Sequence, residues 1–583
     1  THRERERERE RDEMRRMDAT RLGSLQQPLV TPGCCGFSWG PRRFRAGLCA
    51  SLPYQLGRVL CLPMRLSINR FLSRALRPIP GDPTTCLRPW RLMHATLFAL
   101  CFLLAIPTWL LGFPLQLMVV KLRRRWAMTV DAPLAKSTVP CVLPVEPWRW
   151  YGAQEWPTFR AGTLNCCMLP EVVSRINHLG PPQRRATQLG RRIVQSQRHS
   201  DGSGPAKREL PIRKEFERLD VLCLQEVFDV GAIENFTAQL VQEFPYVVHS
   251  AGAEGWSINH FGVNSGLLTA SRHPITHVYF HPYEGEKFGN DAMASKGLLC
   301  VKFQLPTPTD RSSGKARVGY AFNTHMHADA GERPHSVTHQ VRVNDLRQIQ
   351  ECVFQFKQKT WDPAQEDIAV SILAGDFNFD NGSYYDAPEI FHPIWGLSPA
   401  ETWQEGQPHP HEVERSARFP LKQPASTSSS SSSSSSSITT SALVECASVE
   451  DVVLPSTSGT ATFADPCRQA PYVDKPWAIG TNVARLWGDG FTDPDSLYEN
   501  LTQHPDRRRR FVEQAHTKDW GDCEHEGRRL DMILLDQEVH GKDFVQSFDE
   551  PREGFMPVDL EVVCVCAGVT DHMGVQIRMP LKL

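Results

Sequence analysis

The stretch ILAGDFNFDN, Ile372 to Asn381, closes an apolar run with Asp376 and Asn378. Residues two apart on extended backbone point to the same side, so this carboxylate and carboxamide can face one site. Gly375 between them and the strand lets the backbone turn or lets a ligand approach closely. Alone, such a GDxN also reads as an Asx-rich turn capping a strand. Further polar clusters follow the same design: Asn165 in AGTLNCCMLPE, Gln225-Glu226 in LCLQEVFD, His325 in FNTHMHAD and Asp571-His572 in VTDHMGV. Asp531 in GRRLDMILL adds an acid inside an apolar run, where a charge is expensive unless paired. Singly these are surface acids, core histidines or turn caps. Together they are the residue types that hold cations and move protons.

The elements that must position them read as mixed α and β. LDVLCLQEV is an apolar strand, and Ala369 to Ala374 forms another before Gly375. NSGLLTASRHPI reads as strand and turn, while KGLLCVKFQL and RVGYAFNTHMH read as a strand pair across the loop PTPTDRSSGKA. VGAIENFTAQLVQEFP has helical periodicity, as does VTHQVRVNDLRQIQECVFQFKQ, with Val341, Leu346, Ile349, Val353 and Phe356 on one face. Residues 405–463 are rich in Ser, Thr and Pro and include ten consecutive serines, Ser428 to Ser437. That composition buries too little apolar surface to order itself, so it predicts a disordered insertion within one domain.

Upstream, Ala95 to Val120 is an uncharged apolar run followed by Lys121 and Arg123 to Arg125. It is long enough to span a bilayer, which takes about 20 apolar residues. Pro107, Gly112 and Pro114 within it, and basic residues on both flanks, fit a kinked or re-entrant insertion equally. Before it, Thr20 to Gly81 contains Arg but no Asp, Glu or Lys, and MRLSINRFLSRALRP is amphipathic. This reads either as a mitochondrial transit peptide or as an interfacial helix on anionic lipid. The opening Arg/Glu run reads as solvated, and the first residue, Thr1, suggests a non-native start. Lys plus Arg (65) and Asp plus Glu (66) give a net charge of −1, so no overall basic excess points to nucleic acid. The dense basic run Arg507 to Arg510 reads as a solvated or lipid-facing patch. Seventeen cysteines are scattered without zinc-finger spacing, and no secretory signal opens the chain, so reduced thiols are expected. Cys34 and Cys35 are candidate palmitoylation sites, and Cys166 and Cys167 read as small buried residues.

The order Asn, Gln-Glu, His, Gly-Asp-x-Asn, Asp-His resembles the DNase I-like (endonuclease/exonuclease/phosphatase) superfamily. VLCLQEVFD, NSGLLTASRHPI, NDAMASKG, NTHMHA, GDFNFDN, DPCRQAPYVDKPWAIGT, GRRLDMIL and VTDHMGV narrow the resemblance to the vertebrate membrane-bound neutral sphingomyelinases. The likeness runs over most of Thr163 to Arg578 outside the serine-rich insertion. The short segment Ser196 to Lys214 between the first two motifs is like the shorter, mitochondrial-type paralogue.

The resemblance implies an α+β fold, a DNase I-like four-layer α/β sandwich of two packed β-sheets flanked by helices, with an N-terminal hydrophobic membrane segment. It divides the chain into an Arg-rich region (1–92), the hydrophobic segment (93–126), a linker (127–157), and a catalytic domain in two parts (158–404 and 464–583) around the insertion (405–463). It implies hydrolysis of sphingomyelin in a bilayer to ceramide and phosphocholine, with Mg²⁺ (or Mn²⁺) held by Glu226 helped by Asn165. His572 is the implied base that activates water, oriented by Asp531 or Asp571, although related nucleases give that work to the acid matching Asp376. Asn378 and His325 are the implied donors to the phosphoryl oxygens. Asp291 and Lys296 are an implied activity switch, set against the plainer reading of a surface salt bridge. A Gly after the Met of VTDHMGV departs from the Pro-containing turn commoner in the family. Membrane attachment, anionic phospholipid partners and an intracellular membrane location follow, mitochondrial or endoplasmic reticulum, with Golgi or plasma membrane as the alternative; oligomeric state stays open. The competing readings are a nuclease on the same fold, disfavoured by the balanced charge, and a catalytically silent membrane scaffold, disfavoured by the intact acids and histidines.

Overall fold

The structure is a computed structural model of the 583-residue chain. It describes residues 42–43, parts of 56–71, 88–123, 127–130, 158–176, 180–199, 212–252, 255–256, 261–285, 287–306, 314–328, 337–378, 463–464, 468–470, 473–474, 494–502, 531–540, 559–566, 569–570 and 572–581. Cys34, Cys35, Asp571, the serine run and Arg507 to Arg510 lie outside the described residues.

Two sheets organise the chain. Their strands, in chain order, are β1 (Arg42–Arg43), β2 (Ala127–Val130), β3 (Thr158–Met168), β4 (Ile212–Arg213), β5 (Val221–Val227), β6 (Tyr246–His249), β7 (Leu268–Ser271), β8 (Ile275–Pro282), β9 (Gly297–Leu305), β10 (Ala316–His325), β11 (Glu366–Asp376), β12 (Phe463–Ala464), β13 (Asp531–Asp536), β14 (Asp559–Val563) and β15 (Gly574–Pro580). The first sheet has the order β1-β2-β6-β7-β5-β3-β15-β14-β4 and the second β8-β9-β10-β11-β13-β12. The helices that matter below are α1 (Arg88–Arg123), α2 (Glu171–Ile176), α3 (Pro182–His199), α4 (Val230–Leu240) and α5 (Val337–Thr360).

The central strands carry near-continuous apolar runs because both of their faces are covered. Val221 and Cys223 point into the space between the sheets, against Leu299, Val301, Ile372, Ala374 and Ile533. Their neighbours Leu222 and Leu224 point the other way, onto Leu189 and Ile193 of α3 and Phe236 of α4. On the second sheet Leu298, Cys300, Tyr320 and Leu373 face Leu346, Ile349, Val353 and Phe356 of α5. Each buried Val, Leu, Ile or Phe among these contributes about 1.5–3 kcal/mol by leaving water. Three apolar seams thus glue four layers, helix, sheet, sheet and helix, into a DNase I-like α/β sandwich. The strand pair expected across residues 306–315 forms as β9 and β10, antiparallel, with Leu298 opposite Thr324. The helix expected from Val230 to Pro245 ends earlier, at Leu240, and residues 241–243 make a turn before β6.

Polar residues pin the two sheets to each other at the start of the rim. Gln225 of β5 donates to the Asn323 amide oxygen of β10 at 2.8 Å. The Asn323 nitrogen donates in turn to the Leu224 and Leu268 carbonyls at 3.1 and 2.9 Å. All are buried, so each group needs these partners. Gly375 takes a φ of 153°, which residues with a side chain rarely adopt, and a Cβ there would lie 2.0 Å from the Thr324 carbonyl, so the residue also lets the parallel strands β10 and β11 close up.

The apolar segment is one continuous helix, α1, that passes through Pro107 and Pro114. Leu92–Leu115 has a mean hydropathy of 2.1 and is only 11% buried, so among the described residues this helix is long and apolar enough to cross a membrane. Gly112 sits against a second helical stretch in residues 56–71: a Cβ there would meet Leu60 at 2.5 Å. Arg70 of that stretch reaches Glu171 of α2 at 3.3 Å.

Candidate active site

Strand register brings three of the expected residues side by side. His325 ends β10 opposite Asp376 at the end of β11, and Asp376 pairs with Asp531 at the start of β13. From the other sheet, Asn165 and Glu226 arrive on the parallel neighbours β3 and β5, where the register slips between Asn165 and Met168. His572 precedes β15, next to β3. The structure therefore gathers Asn165, Glu226, His325, Asp376, Asn378, Asp531 and His572 at one rim where the sheets meet.

Asn165 joins the halves. Its amide nitrogen donates to Glu226 at 3.1 Å and to Asp376 at 2.8 Å, while its oxygen accepts from the Cys167 N–H at 2.9 Å. A backbone N–H can only face an oxygen, so the amide must present nitrogen to the two carboxylates. In this arrangement the Asn165 oxygen faces the Cys167 N–H and its nitrogen lies between the Glu226 and Asp376 carboxylates. Glu226, His325 and Asp376 place one potential ligand atom each within 4.8 Å of one another, as do Asp376, Asp531 and His572. A carboxylate-rich donor set with the imidazoles at its edge suits Mg²⁺ or Mn²⁺, with Glu226 and Asp376 as its oxygens. Burial, then the neighbouring Asp531, push the Asp376 carboxyl up to about 6.

Backbone strain collects here too. Cys167, Glu226 and Asn378 have φ of 46°, 56° and 52°, a region non-glycine residues enter at a cost of about 1–3 kcal/mol each. Local bonds hold them: the Asn378 N–H donates to Asp376 at 2.9 Å, and its side-chain nitrogen donates to the Met326 carbonyl at 3.0 Å.

The two histidines are served differently. His572 has its Nδ1 2.7 Å from Asp531, and its Nε2 lies 3.9 Å from Asp376. The carboxylate fixes the proton on Nδ1 and leaves the Nε2 lone pair facing the rim. Of the two acids expected to orient it, the described one, Asp531, is in contact. His325 has its Nε2 3.1 Å from Lys296 Nζ, and 3.6 and 3.8 Å from Glu226 and Asp376. A lysine ammonium has no lone pair, so Nε2 must accept from it, and the expected donation by His325 to a phosphoryl oxygen is blocked in this arrangement. The proton then sits on Nδ1, which is buried and has no hydrogen-bond partner among the described residues. Burial, then Lys296, hold His325 well below its usual pKa, so it is neutral.

Lys296 is no surface residue. It is buried, donates to the Met326 carbonyl at 2.6 Å and pairs with Asp291 at 2.9 Å. Burial opposes the charge on Asp291, yet Lys296, helped by the Ala328 N–H that donates to it at 2.6 Å, holds it at about 2. The reading of this pair as an exposed salt bridge of little consequence is therefore replaced: it reaches the rim through His325. Sequence reasoning found both residues only through the NDAMASKG resemblance. It missed Thr570, whose hydroxyl donates to the Asn165 carbonyl at 2.8 Å, and Asn323; a polar residue beside a motif was the only signal for either.

Residues 162–411 match the Endonuclease/Exonuclease/phosphatase family. Sphingomyelin phosphodiesterase 3 of Homo sapiens is 27% identical over 376 residues, covering 62% of this chain and 44% of that protein. Sphingomyelin phosphodiesterase 5 is 26% identical in Mus musculus, covering 78% of this chain and 82% of that protein, and 24% identical in Danio rerio, covering 86% and 92%. The chain thus spans less than half of the first relative and most of the other two. Among solved structures, SmcL is 20% identical with a TM-score of 0.28 over 42% of this chain and 72% of that one. Sphingomyelinase C from Streptomyces griseocarneus is 19% identical with a TM-score of 0.29, over 40% and 69%.

Proposed function

We propose that the protein is a phosphoric diester hydrolase that cleaves sphingomyelin in a membrane to ceramide and phosphocholine, with Mg²⁺ or Mn²⁺ held by Glu226 and Asp376. The observation that carries this reading is the junction at Asn165. One amide draws carboxylates from both sheets together, beside a histidine whose Nδ1 is held by an acid and whose Nε2 faces Asp376. The names of the relatives support the substrate, and α1 supports a membrane as the place where it is met.

In this reading His572 Nε2 takes the proton from the attacking water, and Asp531 stabilises the imidazolium that forms. The attacking oxygen bonds to phosphorus as the bond to the ceramide oxygen breaks. Asn378 keeps one of its two amide hydrogens for a phosphoryl oxygen, where charge develops. The ion, when bound, polarises a phosphoryl oxygen and stabilises the leaving alkoxide. Asp376 stays beside the ion, which leaves His572 the better base of the two considered. Asp571 would adjoin it as an orienting residue. Lys296 withdraws from His325 in the active state, and Asp291 guides that change. The domain is continuous across the 405–463 insertion, and the paralogue is the shorter one, in keeping with coverage of 82% and 92% of the two phosphodiesterase 5 relatives. α1 and the Arg-rich stretch before it attach the protein to an anionic membrane surface, at mitochondria or endoplasmic reticulum, with Cys34 and Cys35 available for acylation.

The test is phosphocholine release from radiolabelled sphingomyelin in mixed micelles, with Mg²⁺ and then with EDTA, alongside a plasmid-nicking assay. The reading requires release with Mg²⁺ and none with EDTA. Nicking of DNA without phosphocholine release would establish the nuclease.

A further inference from the structure

Arg185 lies on α3, outside the rim, and is buried. Its guanidinium makes five hydrogen bonds to neutral oxygens. Nε donates to the Gly180 carbonyl at 3.0 Å, and one terminal nitrogen donates to the Cys166 and Val569 carbonyls at 3.4 and 2.6 Å. The other donates to the Cys167 carbonyl at 2.7 Å and the Ser174 hydroxyl at 3.2 Å. Two of these groups belong to the strand end that carries Asn165, and Val569 belongs to the turn that carries His572.

From those contacts the effect reaches the rim along two short routes. Fixing the Cys166 and Cys167 carbonyls fixes the peptide planes around Cys167, whose φ is 46° and whose N–H holds the Asn165 oxygen. Asn165 then spaces Glu226 and Asp376. Fixing the Val569 carbonyl sets Thr570, whose hydroxyl donates to the Asn165 carbonyl and accepts from the His572 N–H at 3.4 Å. One planar fork therefore sets the cation half and the base half of the rim in relation to each other. A lysine has the charge but only three donors on one nitrogen, without the planar fork that reaches the Gly180, Cys166, Cys167 and Val569 carbonyls together.

We infer that Arg185 is a positioning residue for the hydrolysis, acting through Asn165 and His572 by the geometry of its fork rather than by its charge. The inference rests on the function proposed above.

The experiment compares Arg185→Lys, Arg185→Gln and Arg185→Ala with Thr570→Val in the full chain. It measures kcat and KM on sphingomyelin micelles, Mn²⁺ affinity by electron paramagnetic resonance, and melting temperature. Arg185→Lys and Arg185→Gln should both lose roughly 100-fold in kcat, the scale of a 1 Å misplacement, with KM within a few-fold. Guanidinium in solution should restore Arg185→Ala at least in part and leave the wild type unchanged. A lysine variant with wild-type kcat would overturn the inference in favour of charge alone. Loss without guanidinium rescue, in proportion to lost melting temperature, would reduce Arg185 to a support of the fold. If the Arg185 variants do not fold, Thr570→Val decides, with roughly a 10-fold loss in kcat expected and an unchanged kcat contradicting the route to His572. If the wild type releases no phosphocholine, the proposed function falls and Mn²⁺ affinity still decides: Arg185→Lys should weaken it about 10-fold, and equal affinity would end the inference.

Discussion

Two histidines stand at the same rim, equally buried and within 4 Å of the same carboxylate, yet their neighbours give them opposite work. Asp531 holds His572 by Nδ1 and turns a lone pair toward the rim. Lys296 takes up the lone pair of His325 on the rim side, and Asp291 holds Lys296 in place. The difference is set by one neighbour in each case, an acid behind one ring and an ammonium in front of the other. It separates a side that is ready to accept a proton from a side that is closed. The acid arrives on β13, locked into the sheet beside Asp376. The ammonium comes from residue 296, between the short 3₁₀ turn Gly289–Met293 that carries Asp291 and the start of β9.

The comparison breaks most visibly at His572. Replacing it with Ala should lower kcat by about 10³–10⁴, the usual range for a positioned base, and the loss should appear in kcat more than in KM. An equal loss from His325→Ala would erase the distinction drawn here. Asp531→Asn comes next. The isosteric amide can leave the wrong imidazole tautomer at the rim, and a fall of about 10² or more in kcat is expected, with the melt little changed. A turnover within a few-fold of wild type would show that another group orients His572.

Lys296→Met sharpens the other side. His325 should then titrate higher, read from its imidazole resonances in metal-free protein, because a neighbouring positive charge is gone. The same substitution tests Asp291 through stability. Its carboxyl lies at about 2 when folded, against an ordinary 3.8, so its stabilisation is complete above that ordinary value and is lost as pH falls toward 2. Lys296→Met should therefore cost about 2 kcal/mol at neutral pH, with the gap from wild type narrowing below pH 4. A gap independent of pH would contradict the pairing.

The smallest effect concerns the carboxylate that both histidines face. Asp376 is raised to about 6, so the folded apo protein takes up a proton there as pH falls from 7 to 5, and ionisation above about 6 costs stability. Mg²⁺ should offset that cost. The rise in melting temperature with Mg²⁺ should be largest above pH 7 and should fade below about 6, and a rise that does not change with pH would place the ion elsewhere.

Much of this was legible because strands covered on both faces read as unbroken apolar runs, and polar residues at their ends then stand out. Asp376, Glu226 and His325 were found in that way. Asp531 was visible as an acid that an apolar strand could not carry alone, and His572 is the partner it required. What could not be read was which neighbour each group would meet. Gln225 looked like part of the Glu226 cluster, but the pleat turns it inward to Asn323, and no local pattern reports a contact between residues 98 positions apart. Lys296 looked like any lysine until folding buried it against His325. Gly375 read as a turn or as room for a ligand, and sequence does not show how closely β10 and β11 also approach there.

The most direct test of the central claim, that carboxylates from both sheets form one divalent-cation centre between the two histidines, is Mn²⁺ anomalous diffraction from crystals of the protein. The account predicts a peak between the Glu226 and Asp376 carboxylates, lost in Glu226→Gln. Well-ordered crystals in saturating Mn²⁺ with no peak at the rim, or with the ion bound only elsewhere, would contradict it.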